Sequence, residues 1–258
     1  MPERSRLADP GTIPHVVPDH QRPRGFLVRS ALALVSTSFL TSGLGFIYWA
    51  ASARLFPPSD IGEASAAIAA MNLIAPLTNL GFGSLLLAEL PAMRSGRSEL
   101  VATATVVGGI FGGAVALICA TVLPSDFLGL PGVGSDGSAT LLFAAGVTAQ
   151  GIGMMLDSAL LSVAGAGPQF RRNATLSVVK LLLVVVFALT LSQQGSLSIY
   201  ASWFVANVVS IMTMTIWLSR KHQVAARRMW PTRSALRGLR YVAAKHHALN
   251  LALQVPYF

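Results

Sequence analysis

The chain has 258 residues, of which 53% are hydrophobic and only 11% are charged, and its mean hydropathy is +0.61. Soluble domains carry about 25% charged residues, so this composition excludes an ordinary soluble protein and indicates an integral membrane protein. The net charge of +9 does not indicate nucleic-acid binding, because the basic residues lie in the connections between apolar runs rather than in one patch.

The chain opens with a polar tail. Residues 1–25 contain five prolines and no apolar periodicity, which predicts a disordered cytosolic segment. The first apolar run, 26–53, exceeds the roughly 20 residues that a spanning helix needs. We therefore expect it to be the first transmembrane helix.

The second predicted helix, 64–90, is rich in polar and helix-loosening residues. It contains Asn72, Pro76 and Asn79, followed by Gly81-Phe82-Gly83. Such a helix suits contact with protein or water better than contact with lipid. Two interpretations remain open, a kinked packing helix and a helix that lines a cavity.

Four further spans are expected. The third helix is predicted over 100–123, and its paired glycines allow close approach of another helix. After an acidic loop at 124–138, the fourth helix begins near Leu141 and the fifth ends near Leu191, with a basic connection at 165–173. The sixth helix is predicted over 198–218.

A basic cytosolic loop, 219–240, follows the sixth helix, and residues 241–258 are predicted to start a seventh helix that is too short to span. The predicted fold is thus an all-α, polytopic membrane helix bundle. It has one six-helix lobe over 26–218, with six complete transmembrane helices plus the start of a seventh.

The fourth and fifth helices each contain a charge deep in an apolar run. Asp157 and Lys180 lie on opposite sides of the basic connection and, if both segments are membrane helices, each lies about 10–15 Å inside the end of the bundle at which the helices are connected. Charges at that depth are normally paired or face water. We therefore predict that the two interact, although a structural ion pair, or a Lys180 that reaches back to the interface, would explain them without transport.

Loop charges predict the orientation of the bundle. With the N-terminus in the cytosol, seventeen of the nineteen basic residues lie inside or in the inner loops, and the outer connections carry Asp60, Glu63, Asp126 and Asp136. Lys and Arg collect on the cytosolic side of short loops. We expect a multi-pass protein of the cytoplasmic (plasma) membrane.

Two sets of candidate residues follow from this topology. The buried polar set, expected to line a substrate path, is Asn72, Asn79, Gln150, Asp157, Lys180 and Asn207. The cytosolic basic rim is Arg94, Arg97, Arg171 and Arg172.

Catalytic and metal-binding signatures are not found in the sequence. The single cysteine, Cys119, excludes an intrachain disulfide and a cysteine-based zinc site, and the five histidines are scattered. The chain has no nucleotide loop, nucleophile elbow or paired carboxylates. We expect neither catalysis, nor a cofactor, nor a metal.

Several short motifs resemble those of a known family. They are the Arg54-Leu55-Phe56 turn, the Leu80-Gly81-Phe82-Gly83 end of the second helix, and the passage Leu156-Asp157-Ser158 to Val179-Lys180-Leu181. Together they are similar to the N-terminal lobe of polysaccharide exporters of the MOP superfamily, which includes Wzx-type lipid-linked oligosaccharide flippases. The resemblance implies two six-helix lobes, alternating access, and a lipid-linked saccharide as substrate.

The resemblance also implies a second six-helix lobe or a second copy as partner, since this chain stops at the start of the seventh helix. We expect that residues 1–258 do not transport alone. Two alternatives remain: a cation-coupled, MATE-like multidrug exporter, and a non-transporting membrane scaffold for polysaccharide assembly. Deep carboxylates would favour the cationic-drug exporter, and the single one, Asp157, favours the flippase.

Overall fold

The structure, a computed structural model, describes residues 24–93 and 96–222. Most of the predicted tail and of the basic loop, the whole predicted start of a seventh helix, and Arg94 lie outside these residues. Within the described ranges the chain is helical and has no strand. The helices are α1 (Arg24–Leu55), α2 (Pro58–Thr78), α3 (Phe82–Glu89), α4 (Arg97–Val122), α5 (Ser125–Leu128), α6 (Gly137–Ala164), α7 (Ala166–Thr190) and α8 (Ser196–His222).

The prediction of an all-α fold is confirmed for the described residues, and their helices are compatible with a membrane protein. Five described helices, α2, α4, α6, α7 and α8, are long enough and apolar enough to cross a membrane. The first helix, α1, is 32 residues long, but the side chains of its first residues lie outside the description. Six complete spans therefore stay a prediction.

The predicted second helix is broken in two. Leu80 and Gly81 adopt left-handed backbone conformations, with φ of 48° and 76°, which end α2 and restart the chain as α3. Glycine tolerates this conformation because it has no Cβ. Thr78 lies against Gly112 and Gly151, which are near the middle of α4 and α6, so the break lies near mid-span.

Helix α6 is the centre of the bundle and contacts α2, α3, α4, α7 and α8. Small residues on it admit large neighbours, because a Cβ at Gly146 would overlap the Tyr200 ring. The Tyr200 hydroxyl donates to the Phe143 carbonyl oxygen at 3.0 Å, which satisfies a fully buried polar group. Close packing and internal hydrogen bonding thus hold α8 against α6.

The connection between α6 and α7 is much tighter than predicted. Gly165 alone separates the helices, with φ of 78°, and the predicted basic connection at 166–173 is already helical. Pro168 is compatible with this position because proline is tolerated in the first turn of a helix, where the N–H has no intrahelical partner. Both arginines that were predicted to lie in a loop therefore belong to α7.

Candidate functional site

Arg172 forms a buried ion pair with Asp157. The Arg172 Nη1 and Asp157 Oδ2 atoms are in contact, and the side chains are 3% and 20% exposed. Asp157 lies eight residues before Gly165 and Arg172 seven after it, so both lie about 10–12 Å from the turn. Because α6 and α7 are consecutive and antiparallel, residues at equal distance from the turn lie side by side, and Asp157 and Arg172 are such residues.

The predicted pair of Asp157 and Lys180 is wrong for this reason. Lys180 is fifteen residues beyond Gly165, which places it about 22 Å from the turn. Arg172, which was predicted to belong to the basic rim, is instead buried and faces Asp157 and Asn207. Among the rim arginines that the structure describes, Arg171 is exposed, and Arg97 Nε donates to the Met93 carbonyl oxygen at 2.8 Å.

Three further side chains continue from the ion pair across the bundle. Arg172 Nη2 donates to Asn207 Oδ1 at 3.3 Å, and Asn207 Nδ2 donates to Gln150 Oε1 at 2.6 Å. Gln150 Nε2 then donates to Asn72 Oδ1 at 3.1 Å. We call this chain of side chains, Asp157–Arg172–Asn207–Gln150–Asn72, the polar relay.

The polar relay connects α2, α6, α7 and α8 and runs from a buried end to an exposed one. Asn207 is fully buried, Gln150 is half-buried and Asn72 is exposed. Gln150 is the fourteenth of the 28 residues of α6, so the exposed end lies near mid-span. An exposed amide at that depth faces lipid, another protein surface or water.

Gly153 makes room for the relay. A Cβ at this position of α6 would lie 2.5 Å from Arg172 Nη2 and 3.2 Å from Asn207 Oδ1. A contact of 2.5 Å does not occur in packed proteins, so any larger residue displaces the guanidinium. The glycine between Gln150 and Asp157 is thus part of the site.

Lys180 lies in a separate environment. Its Nζ is 3.9 Å from the centre of the Trp203 ring and 5.3 Å from that of Tyr48, and the residue is 6% exposed. No carboxylate pairs with it among residues 24–93 and 96–222. The face of an aromatic ring attracts a cation, and a desolvated contact of this kind stabilises by up to about 2 kcal/mol.

Asn79 also lies outside the relay. Its Oδ1 accepts from the Gly83 N–H at 3.0 Å, which supplies a partner for one of the free donors at the start of α3. Of the six polar residues that the sequence predicts to be buried, four belong to the relay: Asn72, which is in fact exposed, and Gln150, Asp157 and Asn207. Asn79 instead supports the helix break, and Lys180 contacts the aromatic rings.

A crevice of about 460 Å³ lies at the opposite end of the bundle, between α2 and the segment around α5. Glu63 is the charged residue among the described side chains that line it, and its Oε2 accepts from Ser196 Oγ at 2.8 Å. Residues that could hold a metal do not cluster in the described part of the chain. The crevice therefore offers little chemistry beside that of the relay.

Neither a protein-family model, nor a curated protein, nor a solved structure matches this chain. Its function must be inferred from the chemistry of the site. The relay provides neutral amides at its exposed end and a compensated charge at its buried end. Its amide groups can both donate and accept hydrogen bonds, so they can contact a polar group.

Proposed function

We propose that this chain forms one bundle of a membrane transporter of the polysaccharide-export type, which moves a lipid-linked saccharide across the cytoplasmic membrane by alternating access. The observation that carries the proposal is the polar relay, which ends on the exposed Asn72 amide near mid-span. Polar groups cost several kcal/mol each in hydrocarbon when they are unsatisfied. A bundle with no polar ligand to bind has no need of such a group on its surface, which is the argument against a pure scaffold.

The broken helix supports the same function. Secondary transporters commonly form their sites from discontinuous membrane helices near the midplane. The α2–α3 break lies near that level, and Asn72 is less than two turns before the end of α2. The break and the exposed amide thus belong to the same helix and the same region of the bundle.

The ion pair argues against the cation-coupled drug exporter. A cationic drug or coupling ion needs a free carboxylate inside the membrane. The Asp157 carboxylate is already paired with Arg172 and is largely buried. The site is therefore better suited to a neutral or anionic group than to a cation.

An exposed amide near mid-span also implies a covering surface. We propose that a second six-helix lobe, or a second copy of this chain, lies opposite α2, and that the saccharide passes between the two. Transporters built from two related bundles place their sites at such an interface. The remaining partners are the bilayer itself and the lipid carrier of the saccharide.

Reconstitution tests this function directly. The chain is purified from its own membranes with any polypeptides that co-purify, and is placed in liposomes with a fluorescent polyprenyl-diphosphate glycan. We expect headgroup translocation by the complex or at high protein density, and none where vesicles hold single copies. Failure of translocation in all these preparations contradicts the transport function, whereas translocation by single copies contradicts the need for a partner.

Variants connect the assay to the relay. Asn72→Leu and Gln150→Leu should abolish translocation while the protein still inserts. Thr213→Val is the matched control, since Thr213 is an exposed polar residue of α8 whose hydroxyl bonds only the Val209 carbonyl of its own helix. Equal losses in all three variants would mean that the relay has no specific role.

A further inference from the structure

The relay has a fixed hydrogen-bond direction. An arginine guanidinium can only donate hydrogen bonds, whereas an amide presents a donor at one end and an acceptor at the other. Arg172 must therefore meet the oxygen of Asn207, and the Asn207 nitrogen is turned toward Gln150. This charge determines the orientation of every amide beyond it.

The same rule continues to the surface. Because Asn207 donates, Gln150 must present its oxygen to Asn207 and its nitrogen to Asn72. Asn72 in turn accepts through Oδ1, which leaves its Nδ2 group free to donate outward. Amide orientations are normally ambiguous by shape alone, but here the guanidinium removes the ambiguity.

The surface around Asn72 leaves room for a ligand. Ser65 and Ala69 precede Asn72 on the same exposed side of α2, spaced four and three residues apart, and both have small side chains. The Ser65 hydroxyl donates to the Gly62 carbonyl of its own helix at 2.8 Å. The N–H groups of Asn72 are thus accessible beside these two small side chains and the exposed Leu73.

We infer that the exposed face of α2 at Asn72 is a binding site for a group that presents hydrogen-bond acceptors, and that Arg172 sets this preference from inside the bundle through Asn207 and Gln150. The site takes the oxygens of a headgroup, such as those of a phosphate, and rejects a donor-only group such as an ammonium. The identity of the headgroup rests on the proposed transport function, whereas the preference for acceptors rests on the relay alone. Arg172 and Asn207 are positioning residues, because they act on the ligand only through Gln150 and Asn72.

The preference can be measured with two amphiphiles of the same chain. Farnesyl phosphate presents acceptors and farnesylamine presents donors, and binding of each to the full chain in phosphatidylcholine nanodiscs is followed by native mass spectrometry. Asn207→Leu changes no charge and lies away from the ligand, yet it releases Gln150 and Asn72 to turn over. We expect the ratio of phosphate to amine affinity to fall about tenfold, the size of one hydrogen bond to a charged group.

A folding defect would weaken the binding of both probes together. Opposite changes in the two affinities therefore indicate an effect on the binding site rather than on folding. Gln150→Met breaks the relay one residue later and should lower the same ratio, so a failure of Asn207→Leu to fold does not remove the test. Thr213→Val should leave the ratio unchanged. When Asn72→Leu is already present, adding Asn207→Leu should not change the ratio of phosphate to amine affinity any further.

An unchanged ratio in both relay variants overturns the inference, and so does an Asn207→Leu effect that persists without Asn72. The outcome of the glycan translocation assay does not depend on the outcome of this binding assay. If the ratio responds as expected while no glycan is translocated, the binding site stands and the proposed function does not. If glycan is translocated but the ratio is insensitive, the proposed function stands and the directional relay does not.

Discussion

Two buried cations on α7 are stabilised in different ways. Arg172 and Lys180 are eight residues apart on one helix and are 3% and 6% exposed. Arg172 is paired with Asp157 and bonded to Asn207, whereas Lys180 lies over the rings of Trp203 and Tyr48. The difference follows from chemistry, because a planar guanidinium has five donors that need several partners, and an ammonium is compact enough to lie against the face of a ring.

Burial alone therefore does not reveal what a charge does. The arginine joins helices into one polar relay, so removing any partner leaves another group unsatisfied. The lysine lies against uncharged aromatic rings, so its loss leaves no orphaned charge. The two regions should therefore respond very differently to substitution.

The largest effect is expected at the ion pair. Either Arg172→Leu or Asp157→Leu leaves one buried charge without its partner, which typically destabilises a protein by about 3–5 kcal/mol. The double variant should recover most of that loss, because no uncompensated charge remains. The free energy of unfolding in bicelles, measured for all four proteins of the cycle, gives the coupling.

Arg171→Leu is the matched control for that cycle. Arg171 adjoins Arg172 on α7 but is exposed, so its replacement should change the unfolding free energy by less than about 0.5 kcal/mol. Additive single effects of Arg172→Leu and Asp157→Leu would contradict a working ion pair. Equal effects at positions 171 and 172 would do the same.

The second effect concerns the space for the guanidinium. Gly153→Ala adds a Cβ that would lie 2.5 Å from Arg172 Nη2, so the arginine must move. Overpacking of this kind costs about 1–3 kcal/mol. Gly137→Ala on the same helix meets nothing within 4 Å and should be neutral or stabilising, because alanine favours the helix. Thermal unfolding of both variants in one lipid checks the contrast.

The sequence predicted four of the five members of the relay as polar residues of interest, but it predicted neither Arg172 among them nor their connection. Asn72, Gln150, Asp157 and Asn207 stand out because polar residues are rare in apolar runs. Hydropathy cannot show how the helices rotate about their axes, so it could not show that these four side chains converge. That information comes from packing around α6.

One helix boundary accounts for the wrong ion pair. The stretch around Pro168 was interpreted as a turn, which placed Arg172 in a loop and left Lys180 as the nearest buried base. Gly165 followed by Pro168 is in fact the usual order for a helix end and a new helix start. Applied to this stretch, that asymmetry would have moved the turn and given Arg172 and Asp157 equal depth.

The break in the predicted second helix, in contrast, could not have been found from the sequence pattern. The sequence indicated a loosened helix at Pro76 and Gly81, and two interpretations stayed open. The structure contains a break at Leu80 and Gly81, which no hydropathy pattern can distinguish from a simple kink. The left-handed conformation of a leucine is rare and is tolerated only where surrounding contacts hold it.

A moderate effect is expected at the aromatic site. In a double-mutant cycle of Lys180→Met and Trp203→Leu, we expect a coupling of about 1 kcal/mol, in the range of cation–π contacts. Lys180→Met alone should cost less than Asp157→Leu, since methionine keeps the apolar stem and leaves no charge unpaired. If Lys180→Met lowered the free energy of unfolding as much as Asp157→Leu does, Lys180 would have an acidic partner. The contrast between Arg172 and Lys180 would then disappear.

The smallest effect is expected at an exposed carboxylate, which contrasts with the buried Asp157. Asp136 caps α6, where the Ser138 hydroxyl and the backbone N–H groups of Ser138 and Ala139 hold the pKa of its carboxyl below the usual 3.8. A pKa that is lower in the folded state adds stability above the unfolded value, and this stability is lost as the pH falls through the folded value. Asp136→Asn keeps an acceptor for the cap but cannot titrate.

The difference in the free energy of unfolding between wild type and Asp136→Asn should therefore be constant near neutral pH and shift against the wild type as the pH falls below about 4. A difference that does not change with pH would show that Asp136 caps the helix without help from its charge.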